Sequence, residues 1–151
     1  MWSITFRDYY NLICRKKNII TTGTAKKTKH FDELHFEHKL WSSEFKFYND
    51  ELKIYQSRLE KISAKNTSTE VRSQIEHFQN QFIIQKEHLD ILNDEINKHE
   101  QWLTKYAQEH PVAINHQVFA DHDDINERAA SFTKIYKELK TEFMKFLAVW
   151  M

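Results

Sequence analysis

From residue 31 onward, apolar side chains recur at alternating intervals of three and four residues, and this spacing constrains the fold more than any other feature of the chain. Residues three and four apart share one face of an α-helix, whereas a strand places every second residue on one face. The first series continues for more than four heptads with one polar member: Phe31, Leu34, His38, Trp41, Phe45, Tyr48, Leu52, Tyr55, Leu59 and Ile62. It predicts a helix over about residues 30–64, roughly 50 Å long.

A second series of the same kind follows a short polar stretch. Its members are Val71, Ile75, Phe78, Phe82, Gln85, Leu89, Leu92, Ile96, His99, Leu103 and Tyr106. Thr67 and Glu70 have the spacing of a capping box, which predicts that this helix begins near residue 68. Pro111 disfavours helix at the residue before it, so we expect the helix to cover about residues 68–108.

A third series begins after a connection over residues 110–120. Its members are His122, Ile125, Ala129, Phe132, Tyr136, Leu139, Phe143, Phe146 and Trp150. Asp121, Asp123 and Asp124 stand at its start, where carboxylates stabilise the positive end of a helix. The series predicts a third helix over about residues 121–150.

Glycine and proline are nearly absent, which excludes most other folds. The chain has one of each, against about ten and seven at average usage. Strand hairpins, Gly-rich phosphate loops and βαβ crossovers need these residues at their turns. Short links also make neighbouring long helices antiparallel. The sequence therefore predicts an all-α fold, with residues 30–151 forming a long antiparallel up-down-up three-helix bundle whose heptad seams are coiled-coil-like.

Residues 1–29 differ from the rest of the chain in charge. They hold seven Lys and Arg residues and one Asp, a net charge of +6, and residues 30–151 carry −6. Trp2, Phe6, Tyr9, Tyr10 and Ile13 recur at helical spacing, which predicts a short extra helix packed on the bundle, or else a flexible tail. Contact of residues 1–17 with an anionic membrane surface is a weaker alternative.

The overall charge and the single cysteine limit which partners and which cellular compartment we expect for the protein. Lys plus Arg and Asp plus Glu are both 22, so no net field attracts nucleic acid, and we expect no nucleic-acid partner. Cys14 is the only cysteine and cannot form an intramolecular disulfide. No apolar run approaches the roughly 18 residues of a transmembrane segment. We therefore expect a cytoplasmic protein.

Three glutamates flank the first seam on the side that faces a further apolar stripe. The antiparallel register places them level with residues of the second helix: Glu37 with Glu95, Glu44 with His88, and Glu51 with Gln81. The stripes beyond them contain Leu40, Phe47 and Ile54 on the first helix and Ile84 and Ile91 on the second. Such wide apolar faces predict a further neighbour, and the first functional hypothesis is a non-enzymatic structural or protein-interaction module that binds a protein partner or self-associates.

Histidines gather at the end of the bundle that holds the second link, and they carry the alternative hypothesis. His35 and His38 are spaced i, i+3, Glu95 and His99 are spaced i, i+4, and His122 lies about one turn further out. Imidazole nitrogen and carboxylate oxygen at such spacings bind transition metals. The alternative is therefore a zinc or iron site that uses His38, Glu95 and His99, completed by His35 or His122.

Arg128 weighs against this metal site. The register places it level with His99 and Glu95, where its positive charge would compete for the carboxylate. The competing interpretation is a network in which the seam histidines and the flanking carboxylates hydrogen-bond across the helices.

Nothing in the sequence indicates a catalytic site. The lone Gly23 cannot build a phosphate-binding loop, and no strand-turn-helix exposes a nucleophile. The sequence predicts no catalytic residue and no organic cofactor.

Overall fold

The computed structural model describes residues 31–110 and 116–151, which form three α-helices and contain no strand. Helix α1 spans Phe31–Lys65, α2 spans Thr69–Glu109 and α3 spans His116–Trp150. The predicted all-α fold is confirmed for these residues. None of the three helices carries an apolar stretch that could cross a membrane. The extra helix predicted within residues 1–29 lies outside the described residues.

The link between α1 and α2 is only three residues long. Side chains of the link form hydrogen bonds that cap the end of α1 and the start of α2. At the end of α1, Asn66 Nδ2 donates to the carbonyl oxygen of Ile62 at 2.9 Å. Ser68 is the N-cap of α2, with extended backbone angles (φ −68°, ψ 144°), and its Oγ accepts from the Val71 N–H at 3.4 Å. The predicted capping box is wrong by one residue, because Ser68 rather than Thr67 provides the accepting side chain.

Helix α3 begins at His116, five residues before the predicted start at residue 121. Val118 is fully buried in a small apolar cluster with Leu34 of α1 and Leu103 of α2. Burial of Val118 one turn before His122 extends the apolar face of α3 backwards. Tertiary packing thus stabilises helix in residues 116–120, which the sequence pattern assigned to the connection.

The core consists of the residues that the three sequence series single out. Twenty of them form one continuous cluster: Phe45, Tyr48, Leu52, Tyr55, Leu59, Ile62, Val71, Ile75, Phe78, Phe82, Leu89, Leu92, Ile96, Ile125, Ala129, Phe132, Tyr136, Leu139, Phe143 and Phe146. Aromatic rings dominate its centre, where Phe82 and Phe143 meet edge to face with centroids 4.9 Å apart and Tyr55 lies 5.1 Å from Phe143. Among the residues whose burial is described, the buried polar ones are His38, Gln85, His99 and His122.

Candidate metal centre

Three buried histidines, one from each helix, meet near the second link. His38 lies on α1, His99 on α2 and His122 on α3, and none is more than 7% exposed. One ring nitrogen of each lies within 4.8 Å of those of the other two. Each histidine occupies a position in its helix where an apolar residue would be expected, so the packing of the three helices forces the rings together.

The inner nitrogens of the three rings point at one another. His38 Nε2 lies 2.9 Å from His99 Nδ1 and 3.2 Å from His122 Nδ1. The outer nitrogens face acceptors. His38 Nδ1 donates to Glu100 Oε2 at 2.5 Å, His99 Nε2 donates to the Val118 carbonyl oxygen at 3.2 Å, and His122 Nε2 donates to the Glu37 carboxylate.

These outer contacts determine which nitrogen of each neutral ring carries the hydrogen. A carbonyl oxygen and an ionised carboxylate only accept hydrogen bonds, so each outer nitrogen must carry a proton. A neutral imidazole has a single N–H, and its second nitrogen is then a bare lone pair. Three lone pairs therefore converge on one buried point, an arrangement that is repulsive unless a cation lies between them.

Burial favours the neutral form of two of these histidines. Desolvation lowers the pKa of His38, although its hydrogen bond to Glu100 acts in the opposite direction. Desolvation also lowers the pKa of His99, and the neighbouring His38 and His122 lower it further. Both rings are thus held as uncharged imidazoles, the form that binds metal ions.

Two tryptophans enclose the cluster. Trp41 lies beside His122 with ring centroids 4.9 Å apart and an interplanar angle of 30°. Trp102 meets His99 edge to face at 5.7 Å. These large rings restrict rotation of the two imidazoles and exclude water from one side of each.

His35 lies one turn before His38 but outside the group of converging nitrogens. Its Nδ1 donates to Glu100, the same carboxylate that accepts from His38. The His35 side chain is 46% exposed. His35 therefore helps to position Glu100, which in turn orients the His38 ring.

Glu95 also lies outside the converging group, although it is one turn from His99 on α2. Arg128 of α3 forms an ion pair with it, with Nη1 2.6 Å from Glu95 Oε2. The predicted proximity of Arg128 and Glu95 is confirmed. The structure thus joins three of the five predicted ligands directly, His38, His99 and His122, and places Glu95 in an ion pair.

The flanking glutamates of α1 face α3 and not α2. Glu37 accepts from His122, and Glu51 accepts from Tyr136 Oη at 2.9 Å and from Lys140. The register placed Glu37 level with Glu95 and Glu51 level with Gln81, and the structure shows that both glutamates accept from side chains of α3. The neighbour that the sequence predicts beside these glutamates is thus α3, at Glu37 and Glu51.

Sequence reasoning missed the acceptors that orient the rings. Glu100 is adjacent to His99 in the chain, and its position opposite the His35 and His38 pair was a usable signal. Glu37 was noted only for its level in the bundle, and its role as the acceptor for His122 was not predicted. The carbonyl oxygen of Val118 had no side-chain signal, because it depends on where the backbone of α3 begins.

Comparison with known proteins finds no matching family model, no matching curated protein and no matching solved structure.

Proposed function

We propose that this protein binds one Zn²⁺ ion through His38 Nε2, His99 Nδ1 and His122 Nδ1. The observation that carries the proposal is the convergence of three imidazole lone pairs, each fixed by an acceptor on the far side of its ring. Histidines that bind metals donate their other ring N–H to a carboxylate or a carbonyl, which fixes the tautomer and orients the ring. In this cluster the acceptors are the carboxylates of Glu100 and Glu37 and the carbonyl oxygen of Val118.

The spacing of the nitrogens fits a zinc ion after a small outward movement. Zn–N bonds of 2.0–2.1 Å in a tetrahedron separate the nitrogens by about 3.3 Å. The two measured separations are 2.9 and 3.2 Å. Three histidines leave the fourth position of a tetrahedral zinc for water or an exogenous ligand.

Iron is the less favoured metal because of where the carboxylates lie. Non-haem iron(II) sites use two histidines and one carboxylate as ligands on one face of the ion. Here Glu37 and Glu100 bond to the outer nitrogens of His122 and His38, on the sides of the rings that face away from the converging point.

A shared proton is the competing explanation. A doubly protonated His38 would pair with Glu100 and donate from Nε2 to His99 Nδ1, which would make the cluster a purely structural hydrogen-bond network. This alternative requires a charged imidazole at a position that is 2% exposed.

Metal analysis of the full chain distinguishes the two explanations. Protein purified without an affinity tag is expected to retain about one equivalent of zinc. After a chelator has removed the metal, addition of Zn²⁺ at a concentration 100-fold above Kd should raise the unfolding free energy by about 2.7 kcal/mol. Co²⁺ serves as a spectroscopic probe, since tetrahedral coordination gives intense visible bands. Less than about a tenth of an equivalent of bound metal together with no thermal shift on metal addition would overturn the proposal.

Variants locate the bound ion. His122→Gln and His99→Gln are each expected to abolish the Co²⁺ spectrum, and circular dichroism checks that each variant folds. His88→Ala is the matched control, because His88 is an exposed histidine on α2 and lies outside the cluster. Equal loss of binding in His88→Ala would mean that exposed histidines, and not this cluster, bind the ion.

The proposed scaffold for this site is an antiparallel up-down-up bundle with heptad seams. Contact pairs support it, because residue numbers run in opposite directions on α1 and α2: His38 contacts His99, and Tyr55 contacts Phe82. They run in the same direction on α1 and α3, where Phe45 contacts Phe132 and Tyr55 contacts Phe143. The seam pattern is supported by burial of its members at steps of three and four along each helix.

A second candidate function, self-association, is favoured by one observation. Ile84 and Ile91 lie two turns apart on α2 and are 40% and 52% exposed. Together they form an apolar stripe that a second copy of α2 would cover.

Light scattering of two variants tests this interface. Combined Ile84→Lys and Ile91→Lys changes should turn a dimer into a monomer, whereas Asn80→Lys, at an exposed polar position on the same helix, should not. A monomeric unmodified chain would remove this candidate without affecting the metal proposal.

A further inference from the structure

A long groove runs between α1 and α3 on the side of the molecule away from α2. Its α1 wall includes Leu40, Trp41 and Glu44, and its α3 wall runs from Asn126 to Lys145. That wall spans 20 residues, which corresponds to about 30 Å of helix. The groove is therefore an elongated depression of the length of a short helix.

The floor and rim of the groove suit an amphipathic occupant. Ala129 and Ala130 contribute small side chains on α3, which allow close approach of another backbone. Leu40 and Trp41 supply apolar surface opposite them, and Phe47 continues the same face of α1 with 56% exposure. Burial of such an apolar strip under another segment is favourable, because it removes apolar surface from water.

The sequence before α1 has the matching pattern. Within residues 1–17, five apolar residues recur at helical spacing: Trp2, Phe6, Tyr9, Tyr10 and Ile13. Seventeen residues of helix measure about 25 Å, close to the length of the groove. We propose that residues 1–17 cover the groove between α1 and α3 in the same molecule.

The connection is long enough for this placement. Residues 18–30 span up to about 40 Å when extended. The groove reaches Glu37, which is less than two turns from Phe31 at the start of α1. A tether of this length gives an effective concentration in the millimolar range, which favours the chain's own segment over a second copy or a membrane surface.

Charge adds to the match. Residues 1–29 carry a net charge of +6, and the remainder of the chain carries −6. The charged side chains that line the groove are four carboxylates and three lysines, a net charge of −1: Glu37, Glu44, Glu138, Glu142, Lys134, Lys137 and Lys145. Attraction between the basic segment and the acidic body therefore acts together with burial of the aromatic residues.

The single native cysteine provides the experiment. A nitroxide attached to Cys14 of the full chain is expected to broaden the amide NMR signals of Ala130 and Thr133 in the groove, with loss of most of their intensity. Signals of Asn80 and Glu87, which are exposed on α2, should keep their intensity. Equal intensity at both sets of amides would overturn the proposal.

Paired variants and a mixed sample complete the test. Phe6→Glu places a charge in the apolar pattern and should restore the groove signals, whereas Asn11→Glu adds the same charge on the opposite face and should leave the broadening unchanged. Broadening that persists in Phe6→Glu contradicts docking through the apolar face. Broadening of an isotope-labelled, nitroxide-free chain by an added spin-labelled chain would assign the groove to a second copy and overturn intramolecular docking.

Discussion

At the scale of single residues, three of the four buried polar side chains in the described residues are histidines that lie together, and each has a hydrogen-bond acceptor on its outer side. Glu100 accepts hydrogen bonds from two histidines of α1, and Glu37 accepts one from His122 of α3. A buried imidazole costs free energy unless its N–H finds a partner. The acceptors remove that cost at the outer nitrogens, and the inner nitrogens are the ligands in the proposed zinc site.

The first prediction concerns Glu100. Glu100→Gln removes the carboxylate that orients His38, and loss of such an outer partner typically lowers metal affinity 10- to 100-fold. We therefore expect the Zn²⁺ dissociation constant of the variant, measured by competition with a chelator, to rise by at least about tenfold. Glu95→Gln is the control, because it removes the same charge from α2 but disturbs only the Arg128 pair. An unchanged Kd in Glu100→Gln would contradict the orienting role.

The second prediction concerns Tyr136. Its hydroxyl donates to Glu51 Oε2 at 2.9 Å, and the residue is 1% exposed. Burial, followed by the hydrogen bond to Glu51, raises the pKa of the phenol, so it stays a donor. Hydrogen bonds to charged groups contribute about 1.5–3 kcal/mol, and we expect Tyr136→Phe to lower the unfolding free energy by about 2 kcal/mol. Urea denaturation measures the change, and Thr141→Ala, at an exposed position on α3, should cost much less.

At the scale of the helix, a side chain at the boundary decides where α2 begins. Ser68 lies in the extended region and accepts from the N–H three residues on, which satisfies one of the donors that a helix leaves unpaired at its start. Thr67 has the same chemistry and the better sequence motif, but its position is one residue too early.

The third prediction separates these two residues. Ser68→Ala should destabilise the protein by about 1 kcal/mol, as loss of an N-cap does elsewhere. Thr67→Ala should leave the unfolding free energy unchanged, because the cap accepts through Ser68. Thermal or urea denaturation of the two variants is the measurement. A larger loss of stability in Thr67→Ala would show that Thr67, and not Ser68, is the N-cap residue.

At the scale of the whole molecule, aromatic rings from all three helices lock the bundle together far from the histidine cluster. Phe143 of α3 is fully buried and contacts Tyr55 of α1 and Phe78 and Phe82 of α2. One side chain thus contributes to both interfaces of its helix.

The fourth prediction measures this contribution. Phe143→Ala leaves a cavity that the surrounding rings cannot fill, and we expect a loss of about 3–5 kcal/mol of unfolding free energy. Met144→Ala on the same helix is the control, since Met144 is 41% exposed and should cost less than about 1 kcal/mol. A loss at Phe143 as small as the control would mean that the three helices are not packed around this ring.

The sequence determined the elements and most of the buried residues. A repeat of three and four residues is a local property of an α-helix, so Leu52, Phe82 and Tyr136 could be assigned to a buried face without knowledge of their neighbours. The near absence of glycine and proline excluded the alternatives. The start of α3 was not predicted correctly, because it depends on the burial of Val118 against Leu34 and Leu103, and local composition does not indicate such a tertiary contact.

Only the tertiary structure decided the site. The sequence brought His38, His99 and His122 to one end of the molecule, but it could not tell on which side of α1 the third helix packs. That choice brings Glu37 to His122, where its carboxylate accepts from the outer ring nitrogen. The physical reason is that helical periodicity fixes which residues share a face, whereas the hand with which three faces meet depends on the packing of all the side chains at once.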